Sequence, residues 1–233
     1  MSNGWKILER MEALSNEPRA EEEVAPLGLG GVRGFLHRPL GNAQDGMILA
    51  HGVGANAQAP LLVAAASAFA RAGIATLRCD LPFRQRKPHG PPSPADAAAD
   101  RANLREAVDH LRTLAKARVF LGGHSYGGRQ ATMLAAEDPS VADALLLFSY
   151  PLHPPNHPDK KRTAHFPQLR IPAMFIHGIK DPFGSPEEMR MALSLTPVAT
   201  SLVLLDRAGH DLLRGKFDLA SVVVGPFLEF VKR

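Results

Sequence analysis

The chain contains 233 residues, 45% of them hydrophobic and 21% charged, as is typical of a globular protein with one sizeable domain. Its net charge of +4 is small, and the basic residues lack the density and interleaved aromatics of a nucleic-acid-binding surface, which excludes that class. A single cysteine, Cys79, cannot form an internal disulfide and favours a reducing, cytoplasmic location.

We expect a single domain over residues 1–233. The N-terminal segment of this domain predicts a helix that lies on its body. Four apolar side chains recur there at helical spacing: Trp5, Leu8, Met11 and Leu14. They predict a short amphipathic helical extension over residues 1–23. This segment contains no hydrophobic run of the secretory type, and no apolar stretch in the chain is long enough to span a bilayer.

After this segment, strand and helix patterns alternate. Residues 24–39 predict an antiparallel hairpin that turns near Gly30 and Gly31. Short apolar strands are predicted at 46–50, 74–79, 117–121, 144–149, 173–177 and 201–205. Helices are predicted at 60–71, 93–115, 128–136, 186–195 and 217–232. This alternation is typical of an α/β protein with a mostly parallel sheet, helices on both faces and only the opening hairpin antiparallel.

The helix over 93–115 has a full set of sequence signals. Ser93, Pro94 and Asp96 predict the N-cap, the first position and the third position of the helix. Four leucine and valine side chains predict its buried face: Leu104, Val108, Leu111 and Leu114.

The segment Gly123-His124-Ser125-Tyr126-Gly127 lies between a predicted strand and a predicted helix. It matches G-x-S-x-G, in which a serine on a sharp strand-to-helix turn projects its hydroxyl into a cleft. The N-terminus of the following helix offers backbone N–H groups to a developing oxyanion. We therefore interpret Ser125 as a nucleophile; the alternative is an ordinary strand–turn–helix connection.

In a parallel sheet, ligands bind at the carboxyl ends of the strands, so the residues that follow each strand are the next candidates. The loop over 51–56, after the first parallel strand, is glycine-rich. It predicts an oxyanion donor from the N–H of Val53, with Gly54 as the alternative, and the second donor is the N–H of Tyr126. The other interpretation of this loop is a simple connection to the next helix.

Two further strand ends supply an acid and a base. Asp181 follows the strand at 173–177, and His210 follows the strand at 201–205. The order Ser125, Asp181, His210 is one of the known orders of a catalytic triad. His210 would take the serine proton, and Asp181 would orient the imidazole. Asp206 is the rival acid.

The remaining histidines predict structural roles. His124 adjoins the nucleophile, but its side chain should point away from the hydroxyl, so we interpret it as packing around the site. His51 is expected to hold the oxyanion loop, and His177 to be a hydrogen-bonded structural residue. The sequence has no histidine or cysteine spacing typical of a metal site, and we expect no metal and no cofactor.

These segments resemble the α/β-hydrolase superfamily from about residue 46 to residue 212. The resemblance is carried by residues 50–56, 122–129, 177–182 and 209–211. It is nearest to the small dienelactone-hydrolase-like group. Residues 150–155 and 162–165 are similar to a poorly characterised subset that also supplies a hydrolase-like domain to a chromatin-associated complex. The resemblance implies hydrolysis of an ester, thioester or amide. True dienelactone hydrolases have a cysteine nucleophile where this chain has Ser125, so their substrate is not carried over.

Two proline-rich loops are expected to border the cleft. Residues 150–172 occupy the position where relatives insert a lid, and they are too short for a full cap domain. The loop over 82–92 follows another strand. Both loops place cations at the expected rim of the pocket: Lys160, Lys161 and Arg162 on the first, and Arg84, Arg86 and Lys87 on the second. The loops would steer an anionic ester, or they are ordinary solvated surface.

Two functions from different classes compete. The first is a serine hydrolase that acts as a carboxylesterase on a small acyl ester or thioester. The second is a catalytically silent scaffold with this fold that binds other proteins. An acyltransferase or a perhydrolase would use the same triad. The expected partner is a small-molecule acyl substrate, with no nucleic acid and no membrane, and self-association stays open.

Overall fold

The computed structural model describes residues 22–212 and 217–232. Within them, eight strands form one sheet in the order β1-β2-β4-β3-β5-β6-β7-β8. The strands are β1 (Glu22–Leu29), β2 (Val32–Pro39), β3 (Gly46–Ala50), β4 (Ala75–Asp80), β5 (Val119–His124), β6 (Leu145–Phe148), β7 (Ala173–Gly178) and β8 (Thr200–Leu205). The β1–β2 and β2–β4 pairs are antiparallel, and all other pairs are parallel. The predicted sheet with its antiparallel start is confirmed.

Helices connect the parallel strands. In the described part of the chain they are α1 (Pro60–Arg71), α2 (Pro82–Arg86), α3 (Asp96–Leu114), α4 (Tyr126–Glu137), α5 (Pro186–Leu193) and α6 (Gly225–Phe230). A 3₁₀ turn forms at Phe166–Gln168, and a π-helical turn at Ala220–Val224 precedes α6. The connection from β6 to β7 is a loop with this one 3₁₀ turn, as expected for a chain without a cap domain.

The sheet has a hydrophobic core on each face. Helices α3, α4 and α5 contribute Leu104, Leu134 and Met189 to one core. Helices α1 and α6 contribute to the other core, in which the Phe227 ring packs edge-on against Phe120 at 5.1 Å. Each such side chain contributes about 1.5–3 kcal/mol on burial. The prediction of helices on both faces is confirmed.

Helix α3 starts later than its sequence signals predict. Its first residue is Asp96 and its N-cap is Ala95, which makes no side-chain capping bond. The Ser93 N–H and hydroxyl both donate to the Asp96 carboxylate, at 2.7 and 2.8 Å. These bonds, with Arg86, lower the pKa of Asp96 to about 2. Leu114, predicted to be buried, is 39% exposed because it is the last helical residue.

Three other predicted elements differ. The loop predicted at 82–92 begins with the helix α2. The helix predicted at 217–232 is shorter, since the π-helical turn and α6 end at Phe230. The helical extension predicted at 1–23 lies outside the described residues, except for Glu22 and Glu23, which belong to β1.

The register of the parallel strands brings their carboxyl ends together. Ala50 of β3 pairs with Gly123 of β5. On the other side of β5, His124 pairs with Phe148, and Gly178 of β7 pairs with Leu205 of β8. The loops that follow these strands therefore begin at the same edge of the sheet.

Candidate active site

The turn between β5 and α4 holds Ser125 in a strained conformation. Its φ is +52° and its ψ is −114°, and for a non-glycine residue such a backbone costs about 1–3 kcal/mol. The Ser125 N–H donates to the Phe148 carbonyl at 2.9 Å, and the Arg129 N–H donates to the Ser125 carbonyl at 2.9 Å. These bonds from β6 and α4 hold the turn in place and project the hydroxyl outward.

The glycines on both sides of this serine are required by close approach to β3. A Cβ atom at Gly123 would lie 2.4 Å from the Ala50 carbonyl oxygen, and one at Gly127 would lie 2.6 Å from it. Both distances are shorter than van der Waals contact with backbone atoms that cannot move freely. The G-x-S-x-G spacing thus permits the nucleophile strand, its helix and β3 to meet.

Ser125, His210 and Asp181 form a continuous hydrogen-bonded chain. The serine Oγ lies 2.9 Å from His210 Nε2. His210 Nδ1 lies 2.9 and 3.0 Å from the two carboxylate oxygens of Asp181. Because a carboxylate only accepts, the imidazole proton belongs on Nδ1, which leaves Nε2 as an acceptor for the serine hydroxyl. This arrangement can remove a proton from the serine.

Several contacts hold the Asp181 side chain in place. The Asp181 side chain is fully buried, its N–H donates to the Gly178 carbonyl, and its Oδ1 accepts the Phe183 N–H at 2.9 Å. The Phe183 ring stacks on the His210 ring with centroids 4.2 Å apart. Asp206, the rival acid, is exposed and makes none of these bonds. The carboxylate that contacts His210 is therefore that of Asp181.

The two neighbouring histidines pack around the site. His124 Nε2 lies 3.0 Å from the His210 carbonyl, so it donates there and supports the loop of the base. Burial lowers the pKa of His124, which keeps the ring neutral. His177 Nε2 donates to the Gly184 carbonyl at 2.8 Å. Neither imidazole has a hydrogen bond to the Ser125 hydroxyl among the described residues.

His51 holds the loop predicted to form the oxyanion hole. Its Nε2 accepts the Leu81 N–H at 3.1 Å, and its Nδ1 lies 2.8 Å from the Gly52 carbonyl. Its own carbonyl accepts the Gly127 N–H at 3.1 Å, which joins the loop to the elbow. Burial lowers the pKa of His51. The ring is a buried structural support.

The backbone of this loop leaves donors free. A turn closes between the Ala55 N–H and the Gly52 carbonyl at 3.2 Å. Within the described residues, the N–H groups of Val53 and Gly54 inside this turn have no acceptor. The Tyr126 N–H opens α4 and has no partner within its own helix. Val53, Gly54 and Tyr126 all line the same cavity as Ser125.

Arg84 contacts the loop over 51–56 and does not line the cavity that contains Ser125. It lies behind the oxyanion loop and donates to the carbonyls of Val53 and Ala55, the latter at 3.0 Å. It also donates to the carbonyls of Lys87 and Gly90. Arg86 pairs with Asp96. The donors of Arg84 are therefore taken by backbone carbonyls, whereas Arg86 and Lys87 stay exposed on this loop.

A cavity of about 530 Å³ opens over the serine. It is lined on the other side by Pro151, Phe183, Arg129 and Arg162. Arg162 thus lies at the pocket, as predicted. The volume is suited to a small ligand.

The sequence analysis missed two residues of this region. Asp100 of α3 is fully buried and accepts the Tyr126 hydroxyl at 2.7 Å and the Phe83 N–H at 3.1 Å. Burial raises the pKa of Asp100. It anchors the side chain of Tyr126 beside the elbow. Arg129 faces the cavity one helical turn after Ser125, and its i+4 spacing from the nucleophile was the available signal.

Two other kinds of feature are absent from residues 22–212 and 217–232. No group of three or more histidine, cysteine, aspartate or glutamate side chains is arranged there to hold a metal ion. No helix in the same ranges is long and apolar enough to cross a membrane.

Comparisons with known proteins agree with this fold. Residues 43–220 match a family described as "Alpha/beta hydrolase domain". A dienelactone hydrolase from Anabaena variabilis superposes with a TM-score of 0.68 at 22% identity, over 91% of this chain and 98% of that one. A Thermus thermophilus protein gives 0.72 at 19%, over 92% and 100%. Est1E from Butyrivibrio proteoclasticus gives 0.66 at 16%, over 90% and 99%. The chain therefore belongs to the alpha/beta hydrolase family.

Proposed function

We propose that this protein is a cytoplasmic serine hydrolase that cleaves small carboxylic esters or thioesters through an acyl-enzyme. The observation that carries the proposal is the hydrogen-bonded chain from Ser125 through His210 to Asp181, at a cavity of about 530 Å³. Family membership supports hydrolytic chemistry. The nucleophile, the base and the oxyanion donors all come from this chain, so the reaction requires no cofactor.

The reaction follows from the protonation state of the imidazole. The Ser125 oxygen attacks the ester carbonyl carbon while its proton passes to His210 Nε2. Asp181 stabilises the imidazolium that forms. The imidazolium then gives its proton to the leaving alkoxide or thiolate, and the carbon–oxygen or carbon–sulfur bond breaks. Water, activated by the same imidazole, hydrolyses the acyl-serine and restores the enzyme.

The negative charge that develops on the carbonyl oxygen is the second requirement. The Tyr126 N–H and the Val53 N–H, or that of Gly54, are proposed to stabilise it. Removing a donor from such a site typically lowers the rate by about 10² to 10³-fold. The bonds from His51 and Arg84 to this loop support the proposal, since fixed donors need no reorganisation during the reaction.

The proposal is tested by labelling with a fluorophosphonate probe. The wild-type protein should be labelled, and mass spectrometry should locate the adduct on Ser125. Ser125→Ala should remove labelling and the hydrolysis of p-nitrophenyl acetate and butyrate, with an unchanged circular dichroism spectrum. Ser194→Ala is the matched control, because Ser194 is exposed and does not line the cavity.

Labelling that persists in Ser125→Ala would overturn the nucleophile. A folded wild-type protein that neither reacts with the probe nor hydrolyses any ester would instead favour the silent scaffold.

A further inference from the structure

Two cations in the cavity have no counter-charge. Arg129 and Arg162 both line the cavity that contains Ser125 and His210. None of the described residues that line it is an aspartate or a glutamate. Neither arginine forms an ion pair with a residue in the described ranges. An anionic group that balances their charge must therefore come from outside the described residues.

Arg129 has an unused donor beside the nucleophile. Its Nε is buried and has no hydrogen-bond partner among the described residues. Its backbone N–H donates to the Ser125 carbonyl at 2.9 Å, so the two residues are one helical turn apart, about 6 Å along the axis. Buried donors are normally satisfied in folded proteins, whereas the Arg129 side chain, which lines the cavity, has no acceptor among the described residues.

Arg162 is held at the cavity by its backbone. Its N–H donates to the Leu152 carbonyl at 2.8 Å, and its carbonyl accepts the hydroxyl of the buried Tyr150 at 2.7 Å. The guanidinium makes one hydrogen bond to described residues, from Nη1 to the Pro151 carbonyl at 3.3 Å. Most of its donors are therefore free, on a backbone that is fixed in position.

The two guanidinium groups also raise the positive potential of this region. The pKa of Arg162 is lowered by burial and then by the charge of Arg129. Burial, followed by the charges of Arg129 and Arg101, lowers the pKa of the neighbouring His165 to about 4. Like charges at short range in a partly desolvated site are unfavourable. A bound anion would relieve this repulsion.

We propose that Arg129 and Arg162 bind the carboxylate of an anionic ester, so that the substrate is a carboxylate-bearing ester; this rests on the hydrolase function proposed above. Guanidinium groups present paired donors that match the two oxygens of a carboxylate. Because both arginines line the same cavity as Ser125, the carboxylate and the reacting carbonyl must fit into that cavity together. The cavity volume limits the substrate to a small molecule.

The test uses pairs of esters that differ only in charge, at constant ionic strength. The first pair is p-nitrophenyl hemiadipate and its neutral methyl ester, which place the charge on the acyl side. The second is 4-acetoxybenzoate and its methyl ester, which place it on the alcohol side. In one pair the wild type should prefer the charged ester in kcat/KM by on the order of 10- to 100-fold. The preferred pair identifies the side that the arginines contact.

Arg129→Gln and Arg162→Gln should each reduce this charged-to-neutral ratio toward one. Arg129 lies in helix α4, where a substitution could disturb folding. Arg162→Gln is an independent test of the same proposal, because Arg162 lies in a loop. Lys161→Gln is the matched control: it removes an adjacent exposed cation that does not line the cavity, and should leave the ratio within about threefold. A wild type without preference in either pair, or a preference that survives both arginine variants, overturns the proposal.

The failure of this subsite can be distinguished from failure of the enzyme. Hydrolysis of neutral esters without charge discrimination would refute the subsite and leave the hydrolase intact. If no ester is hydrolysed, calorimetric binding of glutarate decides the subsite alone, with neutral glutaramide as the control ligand. Glutarate binding that is lost in Arg162→Gln supports the subsite, and absence of binding to the wild type refutes it.

Discussion

Arginines occur at two places around the serine, and they differ in what they contact. Behind the oxyanion loop, Arg84 donates to four backbone carbonyls. In the cavity, Arg129 has a buried Nε without a partner among the described residues. The Arg162 guanidinium makes a single hydrogen bond to described residues, to the Pro151 carbonyl. Arg84 is part of the structure of the loop, whereas the other two remain available to a ligand.

This contrast shows that a cation in the sequence does not define a binding group. A guanidinium surrounded by carbonyls is already solvated by the protein, and a substrate carboxylate would gain little from it. A guanidinium in a cavity without acids obtains its remaining bonds from water or from a ligand, and a ligand carboxylate adds an opposite charge. The two places should therefore respond differently to the same substitution.

The largest expected effect concerns the proposed triad, which would act on every ester and so gives the baseline for the comparison. His210→Ala should lower kcat/KM for charged and neutral esters alike by about 10³-fold or more, because triad members act as a unit. Asp181→Asn should also be severe, while Asp206→Asn, on an exposed side chain, should change it less than threefold. Steady-state kinetics with both esters measures this. Equal losses in the two asparagine variants would argue against Asp181 as the acid.

An intermediate effect is expected for Arg84. Arg84→Met removes the bonds to the carbonyls of Val53 and Ala55, so the oxyanion donors lose their support. We expect kcat to fall by about 10-fold for charged and neutral esters equally, with little change in KM. Arg86→Met is the matched control on the same helix, since Arg86 is exposed and pairs with Asp96. If Arg84→Met altered only the charged ester, Arg84 would belong with Arg129 and Arg162 as a ligand-binding group.

The smallest expected effect concerns His165, through its pKa and the pH dependence of protein stability. Burial and the charge of Arg129 hold the pKa of His165 at about 4, below its value in the unfolded chain. The unfolded state binds more protons between these two values, so stability is retained above about pH 6.5 and is lost as the pH falls toward 4. His165→Gln should reduce the fall in Tm between pH 7 and pH 5 by about 2–4 °C.

The same histidine reports on the uncompensated arginine. In Arg129→Gln, the pKa of His165 should rise, as followed by NMR titration of the ring and assigned with the His165→Gln spectrum. Arg84→Met should leave that pKa unchanged. If Arg129→Gln left the pKa of His165 unchanged, Arg129 would have no influence on that pKa. Ions from the solution would then screen the charge of Arg129.

Much of the fold and of the proposed triad could be predicted from local sequence patterns. Continuously apolar strands alternating with helices specify a parallel sheet, and the sheet collects the strand ends at one edge. Ser125, Asp181 and His210 each follow a strand, so their proximity could be predicted from local sequence patterns alone. Errors arose at the helix termini: Ser93 bonds to the side chain of Asp96 instead of capping α3, and Leu114 ends the helix exposed.

The sequence by itself determined where the proposed nucleophile, acid and base lie, because a strand-to-helix turn and the carboxyl ends of parallel strands are local features with a fixed spatial result. Only the tertiary structure decided what each arginine does. The acceptors of Arg84 at Val53 and Ala55 lie about thirty residues away along the chain, and Arg129 meets the loop of Arg162 only through folding. Long side chains have many reachable partners, so their contacts depend on which backbone carbonyls and charges the fold brings within a few ångströms.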